Sequence, residues 1–198
     1  MLTYLPPATR AIILLNVLVF LAQSATGHAL DGPFALWPPG AGFHLWQLLT
    51  YAFLHESIAH IFFNMFALFM FGAPLERYWG PARFCFYYLV CVLAAAAVQL
   101  AVGATSANPE PTIGASGGVF GLLLAFGFYF PRQRILLLFP PIPMPAWLFV
   151  TLYGLLELVL GVTGREANVA HFAHLGGMLG GALVLLLWRA RSNVRRGF

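Results

Sequence analysis

Lysine is absent from this chain. All ten basic residues are arginine, and charged residues of either sign fill only 8% of its 198 positions. Water-soluble domains carry about 25% charged residues, so this scarcity excludes water as the main solvent. Cysteine is nearly absent as well. Cys85 and Cys91 stand six apart in one apolar segment, where they face different ways along a helix and cannot bridge; both read as packing residues. Internal repeats are missing too, and residues 1–198 read as a single membrane domain.

What the chain has in excess is apolar surface. It is 61% hydrophobic, with a mean hydropathy of +0.83. Six stretches, near 10–26, 57–74, 83–103, 114–130, 145–163 and 169–188, are long and apolar enough to cross a core of about 30 Å. The expected fold is therefore all-α, a polytopic bundle of six transmembrane helices in the lipid bilayer. "GAPLERYWGPAR" and "PRQRILLLFPPIPMP" supply Gly/Pro breakers between spans. The net charge of +4 would suggest nucleic acid in a soluble protein. Here the position of the charge in the loops explains it, and no nucleic-acid partner is expected. Arg10 precedes the first span, Arg77 and Arg83 separate the second from the third, and Arg132 and Arg134 follow the fourth. Arg189, Arg191, Arg195 and Arg196 follow the sixth, and Arg165 alone falls on the opposite side. By the positive-inside rule both termini are expected in the cytoplasm, most simply in a bacterial inner membrane. "AIILLNVLVFLAQSA" also has the form of a signal-peptide core, but with one arginine before it a retained span is the better reading.

The first outer loop, about 27–56, contains "FALWPPGAGFHLWQLLTYAFLH", too broken to span and too apolar for an ordinary loop. Trp37 and Trp46 suit the headgroup region, so an interfacial substructure is expected there. The loop runs into "HESIAHIFFNM". Zinc-protease helices carry two histidines at i and i+4, whereas His55 and His60 are five apart and point about 140° away from each other. That spacing argues against zinc. His60 and Asn64, by contrast, are i and i+4 and share one helical face. They serve either as interhelical hydrogen-bonding groups or as donors to a reacting group.

Polar residues inside spans are expensive in lipid and therefore informative. "TIGASGGVFG", 112–121, places Ser116 among Gly114, Gly117, Gly118 and Gly121 at the start of the fourth span. Such small residues also make packing faces. The span is short, however, so its start lies below the outer surface, where irregular backbone is tolerated beside a wet cavity. In "VAHFAHLGGMLGG", 169–181, His174 shares a stripe with Gly177 and Gly181, and His171 is about 60° around. A close glycine contact between the fourth and sixth spans would bring Ser116 to one of these histidines. Histidine takes a serine proton near neutral pH, and a serine beside such a base is a nucleophile. The Ser116 N–H with His60 and Asn64 would then hold the developing oxyanion.

With these motifs in order, the sequence resembles the rhomboid intramembrane serine proteases of the six-span bacterial type. The family's H-x-x-x-N stands at His60 and Asn64, its G-x-S-G at Gly114 to Gly117, and its A-H-x-x-G-x-x-x-G at Ala173, His174, Gly177 and Gly181. Trp46 and Thr50 match the loop W-x-x-x-T, His55 the histidine opening the second span, and Leu75-Glu76-Arg77 with Gly80 the turn after it. The resemblance implies a Ser116–His174 dyad that hydrolyses peptide bonds in the transmembrane segments of single-span proteins. It also implies oxyanion stabilisation by His60 and Asn64, no metal and no cofactor, and a first loop that supports the site.

Two departures stand out. Gln47 replaces the arginine often found after the loop tryptophan, and Phe120 replaces a tyrosine whose ring lies against the histidine. No acidic residue is obviously placed to orient His174. Glu157, the one acid near the middle of a span, reads as a protonated or hydrogen-bonded group between helices. A dyad without a carboxylate fits the family, and slow catalysis is expected of it. Two other functions use some of the same residues: a rhomboid-like protein that binds membrane proteins without cutting them, and a metal or haem protein ligated by His60, His171 and His174. The second leaves Ser116 and its glycines unexplained. A transporter would need paired broken helices or a doubled arrangement, and neither appears.

Overall fold

The computed structural model describes residues 5–104, 110–136, 141–163 and 170–194. Arg165, Arg195 and Arg196, used above for orientation, lie outside these residues. Among the described residues, five helices are long and apolar enough to cross a membrane: Pro7–Ala25 (α1), Ile58–Trp79, Pro81–Gly103 (α6), Ala146–Thr163 (α8) and His171–Arg191, the body of α9 (His171–Val194). The sixth apolar helix, α7 (Ser116–Tyr129), has 14 residues and is about 21 Å long at 1.5 Å per residue. It is too short to reach both surfaces of a 30 Å core. Five spanning helices and the shorter α7 agree with the expected all-α bundle of six apolar helices, and the protein is an integral, multi-pass membrane protein.

The second span differs most from its expected range of 57–74. It runs on through Pro74 as α4 (Ile58–Ala67), a π-helical turn (Leu68–Gly72) and α5 (Ala73–Trp79). Proline breaks an α-helix because it lacks an N–H and clashes with the carbonyl four residues back. The wider π turn just before Pro74 changes that hydrogen-bond register, so the helix continues past the proline. One addition to the all-α picture lies after α7, where Arg134–Leu136 (β1) pairs antiparallel with Pro143–Pro145 (β2). Both ends of β2 are prolines and donate nothing, so the ladder is thin.

Burial on α1 runs opposite to a soluble helix. Its buried residues are Thr9, Asn16 and Gln23, while Leu14, Leu15, Leu18 and Leu21 are exposed. Seven-residue spacing puts the three polar groups on one stripe, facing protein rather than lipid. Glu76 accepts there from the backbone N–H groups of Ala8 and Thr9, at 2.8 and 2.6 Å, and from the Thr9 hydroxyl at 2.7 Å. Gln23 accepts from the His55 N–H at 2.9 Å.

The outer loop folds as α2 (Asp31–Phe34), α3 (Gln47–Thr50) and a 3₁₀ turn (Tyr51–Phe53). Gln47, the departure noted above, is fully buried. Its carbonyl oxygen accepts from the Trp37 and His44 N–H groups, and its amide donates to the Pro33 and Gly42 carbonyls, all at 3.1–3.3 Å. A neutral amide therefore ties the loop together. The Trp46 indole donates to Pro33 O at 2.9 Å and the Thr50 hydroxyl to Phe34 O at 2.7 Å.

At the centre, α7 is buried on nearly every side, packed between α6 and α9. The expected close contact of the fourth and sixth spans is present: a Cβ on Gly177 would run into the Gly117 carbonyl, and one on Gly121 would lie 3.0 Å from the Gly177 carbonyl oxygen. Gly181 behaves differently from its expected role. It clears space for Tyr87 and Cys91 of the third span, and the Tyr87 hydroxyl donates to Gly121 O at 2.8 Å. The glycine stripe of α9 thus serves two neighbours, because α6 and α7 flank it together. Cys91 is a packing residue as expected, whereas Cys85 is exposed.

Gly177→Ala should lower stability by about 3 kcal/mol, the upper range for overpacking, because the obstacle is backbone rather than a side chain that can turn aside. Gly32→Ala, where nothing lies within 4 Å, should stay within about 0.5 kcal/mol. Thermal unfolding in detergent measures both, and an equal response of the two would contradict the packing account.

Candidate active site

Two backbone connections hold the segment that leads into Ser116. Leu36 and Thr112 exchange N–H···O bonds at 2.9 and 3.0 Å, and the Gly114 N–H donates to Tyr51 O at 2.9 Å. The Tyr51 hydroxyl in turn donates to Val92 O of α6 at 2.8 Å. Loop, third span and serine segment are therefore tied together, and Tyr51 and Thr112 contribute to the site without any motif having marked them.

Gly114 has φ +126°, and a Cβ there would meet Cε1 and Nε2 of His60 at 2.9 Å. Only glycine suits both the backbone angle and the ring. His60 consequently lies against the residue two before Ser116. The Glu56 N–H points at His60 Nδ1 at 3.5 Å, which makes Nδ1 the acceptor and leaves Nε2 the donor, on the Gly114 side. Asn64 is buried and donates to the His60 carbonyl at 3.0 Å; its amide has a second N–H. Ser116 opens α7, so the N–H groups of Ser116, Gly117 and Gly118 have no acceptor within the helix.

His174 Nε2 lies 2.8 Å from Ser116 Oγ. Its ring stacks on Phe120 with centroids 4.2 Å apart and planes within 6°, so the ring contact survives without a tyrosine hydroxyl. Ser116, His174, His60, Asn64 and Phe120 all line one cavity of about 1430 Å³. Apolar side chains of α4, the π turn, α7 and α8, among them Phe63, Met70, Leu123 and Phe149, complete its wall. His55 is not on that wall. It is fully buried behind His60, with ring centroids 5.0 Å apart.

The expectation that no carboxylate orients His174 is overturned. Glu157 is 4% exposed, and its Oε2 lies 2.9 Å from His174 Nδ1 and 2.7 Å from His171 Nδ1. It is the bonded interhelical group it was taken for, but its partner is the histidine on the serine. Sequence did offer a signal, a lone acid in mid-span; the pairing was hidden because Glu157 belongs to another helix. The three ligating atoms lie within 4.8 Å of one another. At 2.7 and 2.9 Å from one oxygen, the two nitrogens are at hydrogen-bond distances, shorter than the roughly 3.3–3.6 Å that separates two ligand atoms on one tetrahedral zinc. His60 is not part of that group, so the histidine set imagined for a metal or haem does not assemble.

Ser116, His174 and Glu157 thus form one hydrogen-bonded chain, its serine half-buried, that opens on an apolar cavity within a helical membrane bundle. Residues 42–191 match the Rhomboid domain, and the chain belongs to the rhomboid family. It is 34% identical over 139 residues to Rhomboid protein 1, mitochondrial, of Saccharomyces cerevisiae, covering 69% of this chain and 40% of that protein. It is 32% identical over 136 residues to Rhomboid protease GluP of Bacillus subtilis, covering 69% of this chain and 24% of GluP. YdcA of the same bacterium is 28% identical over 191 residues, with 91% of this chain and 88% of YdcA covered. The chain thus spans less than half the length of the first two relatives.

Burial pushes the His55 pKa down to about 4; neighbouring His60 adds to this and the Phe53 backbone partly offsets it. Below about pH 6.5 the unfolded chain takes up a proton that the folded one refuses until about pH 4. Stability should therefore fall as pH drops through this window, by up to about 3 kcal/mol, and level off below it. Melting temperatures of wild type and His55→Gln across pH 4–7 check this, and an identical slope in both would place the titration elsewhere.

Proposed function

We propose that the protein is an intramembrane serine endopeptidase that cleaves transmembrane segments of single-span membrane proteins. The observation that carries this reading is the 2.8 Å contact of His174 Nε2 with Ser116 Oγ inside the apolar cavity. Ser116 Oγ attacks the scissile carbonyl carbon while its proton passes to His174 Nε2. The carbonyl oxygen becomes an oxyanion, held by the Ser116 N–H, His60 Nε2–H and Asn64 amide. As the intermediate collapses, His174 returns the proton to the leaving nitrogen. Water then repeats the sequence on the acyl-enzyme and frees Ser116. The cavity wall of phenylalanine, leucine and methionine suits an apolar segment unwinding from lipid, and small residues at the cut would fit beside Gly114.

Orientation follows the arginines. Arg83, Arg189 and Arg191 line a second cavity with Tyr78, Trp79 and Trp188. An arginine-rich end ringed by aromatics suits a cytoplasmic interface, with Ser116 toward the outer leaflet and both termini inside, in a bacterial cell membrane.

The deciding experiment incubates detergent-purified protein with a panel of single-span substrates and a fluorophosphonate probe. Wild type should cleave and label at Ser116, with EDTA leaving cleavage intact. His174→Ala should lose both reactions while still folded; His171→Ala should keep measurable activity. Cleavage that survives Ser116→Ala, or that EDTA stops, would defeat the proposal, and a folded protein that cuts and labels nothing would mark a binding protein instead. Asn64→Ala should lower kcat rather than raise KM, by at most the 10²–10³-fold typical of one oxyanion donor, since His60 and the backbone remain. A change in KM alone would make Asn64 a packing or binding residue.

A further inference from the structure

We infer that Glu157 is a positioning residue for His174, held in place by His171, so that the site works as a Ser116–His174–Glu157 chain rather than a dyad. This rests on the serine-protease reading above. A neutral imidazole has one N–H and one acceptor nitrogen, and which is which decides whether it can act as a base. An ionised carboxylate only accepts. With Glu157 Oε2 2.9 Å from His174 Nδ1, the proton is held on Nδ1 and the lone pair on Nε2, the atom 2.8 Å from Ser116 Oγ. In the opposite tautomer, the lone pair would face the carboxylate and the N–H would face the serine oxygen, and no proton could be taken.

His171 has a different task. Its Nδ1 lies 2.7 Å from the same Glu157 oxygen, and its Nε2 is buried without a hydrogen-bond partner among the described residues. It faces no nucleophile and is not a second base. A carboxylate buried between membrane helices is costly unless donors compensate it, and a second N–H on one oxygen supplies that compensation. When His174 gains the serine proton, the imidazolium forms beside an anion already in place. Phe120 stacks on the His174 ring with planes within 6°, and Tyr153 packs on Phe120 at 5.2 Å. The stacked face opposes tilting of the imidazole, while the proton is placed by Glu157.

The test uses the full chain in detergent with a cleaved single-span substrate. Glu157→Gln keeps the shape and removes the charge; it should lower kcat by about 10²–10⁴-fold, the scale of a misdirected general base, with KM within about threefold. Glu157→Asp should restore at least about tenfold of that loss, and fluorophosphonate labelling of Ser116 should slow in step with kcat. Independently of any change at Glu157, ¹⁵N-histidine NMR of the resting wild type should find His174 protonated on Nδ1 and bare on Nε2. Glu157→Gln with kcat within threefold of wild type would overturn the inference, as would an Nε2–H tautomer of His174. If Glu157→Gln does not fold, the wild-type tautomer and Glu157→Asp decide. Cleavage that survives Ser116→Ala would instead defeat the serine reading, and the tautomer would still report on Glu157.

Discussion

The site depends on how closely α7 and α9 approach. Gly177 leaves no room for even a methyl group against the Gly117 carbonyl, and Ser116 and His174 are the neighbours of that contact, one residue before Gly117 and three before Gly177. A side chain at Gly177 would separate the two helix axes and open the 2.8 Å Ser–His distance, whereas one at Gly117 would meet Ala95 of α6 instead. Hydrocarbon gives apolar side chains no reason to prefer one another over lipid, so association in a bilayer relies on close backbone packing and buried polar contacts. Both occur here within one helical turn, and Tyr87 adds a third helix by bonding the Gly121 carbonyl.

Polar groups are arranged accordingly. Thr9 and Gln23 join α1 to Glu76 and to the His55 backbone, while Asn16 between them donates to Ile12 O of α1 itself. The outer loop satisfies itself through Gln47 and reaches the serine segment through the Leu36–Thr112 and Gly114–Tyr51 bonds. With 14 residues, α7 is too short to reach both faces of a core of about 30 Å, and the irregular chain entering it needs partners for its backbone groups. The loop supplies them at Leu36 and Tyr51.

Glu157 shows where pattern reading stops. Spacing along one helix places His60 with Asn64 and His174 with Gly177, because those pairs are three or four residues apart and a helix has a fixed pitch. Nothing in that arithmetic relates residue 157 on α8 to residues 171 and 174 on α9. Gly181 illustrates the same limit: its face was legible, but not which of two flanking helices would occupy it. The π turn before Pro74 and the short strands near 134 and 145 were likewise hidden, since each depends on what the neighbouring chain tolerates.

Sequence by itself determined the solvent, the apolar spans and five residues of the cavity wall, Ser116, His174, His60, Asn64 and Phe120. Charge scarcity, hydropathy and helical periodicity are local properties, and they persist whatever the helices do next. Tertiary structure alone decided which nitrogen faces Ser116, which histidine shares a carboxylate with which, and why Gly114 must lack a side chain. Those depend on distances of about 3 Å between atoms far apart in the chain. Such distances are set by the joint packing of α4, α7, α8 and α9, and no single segment encodes them.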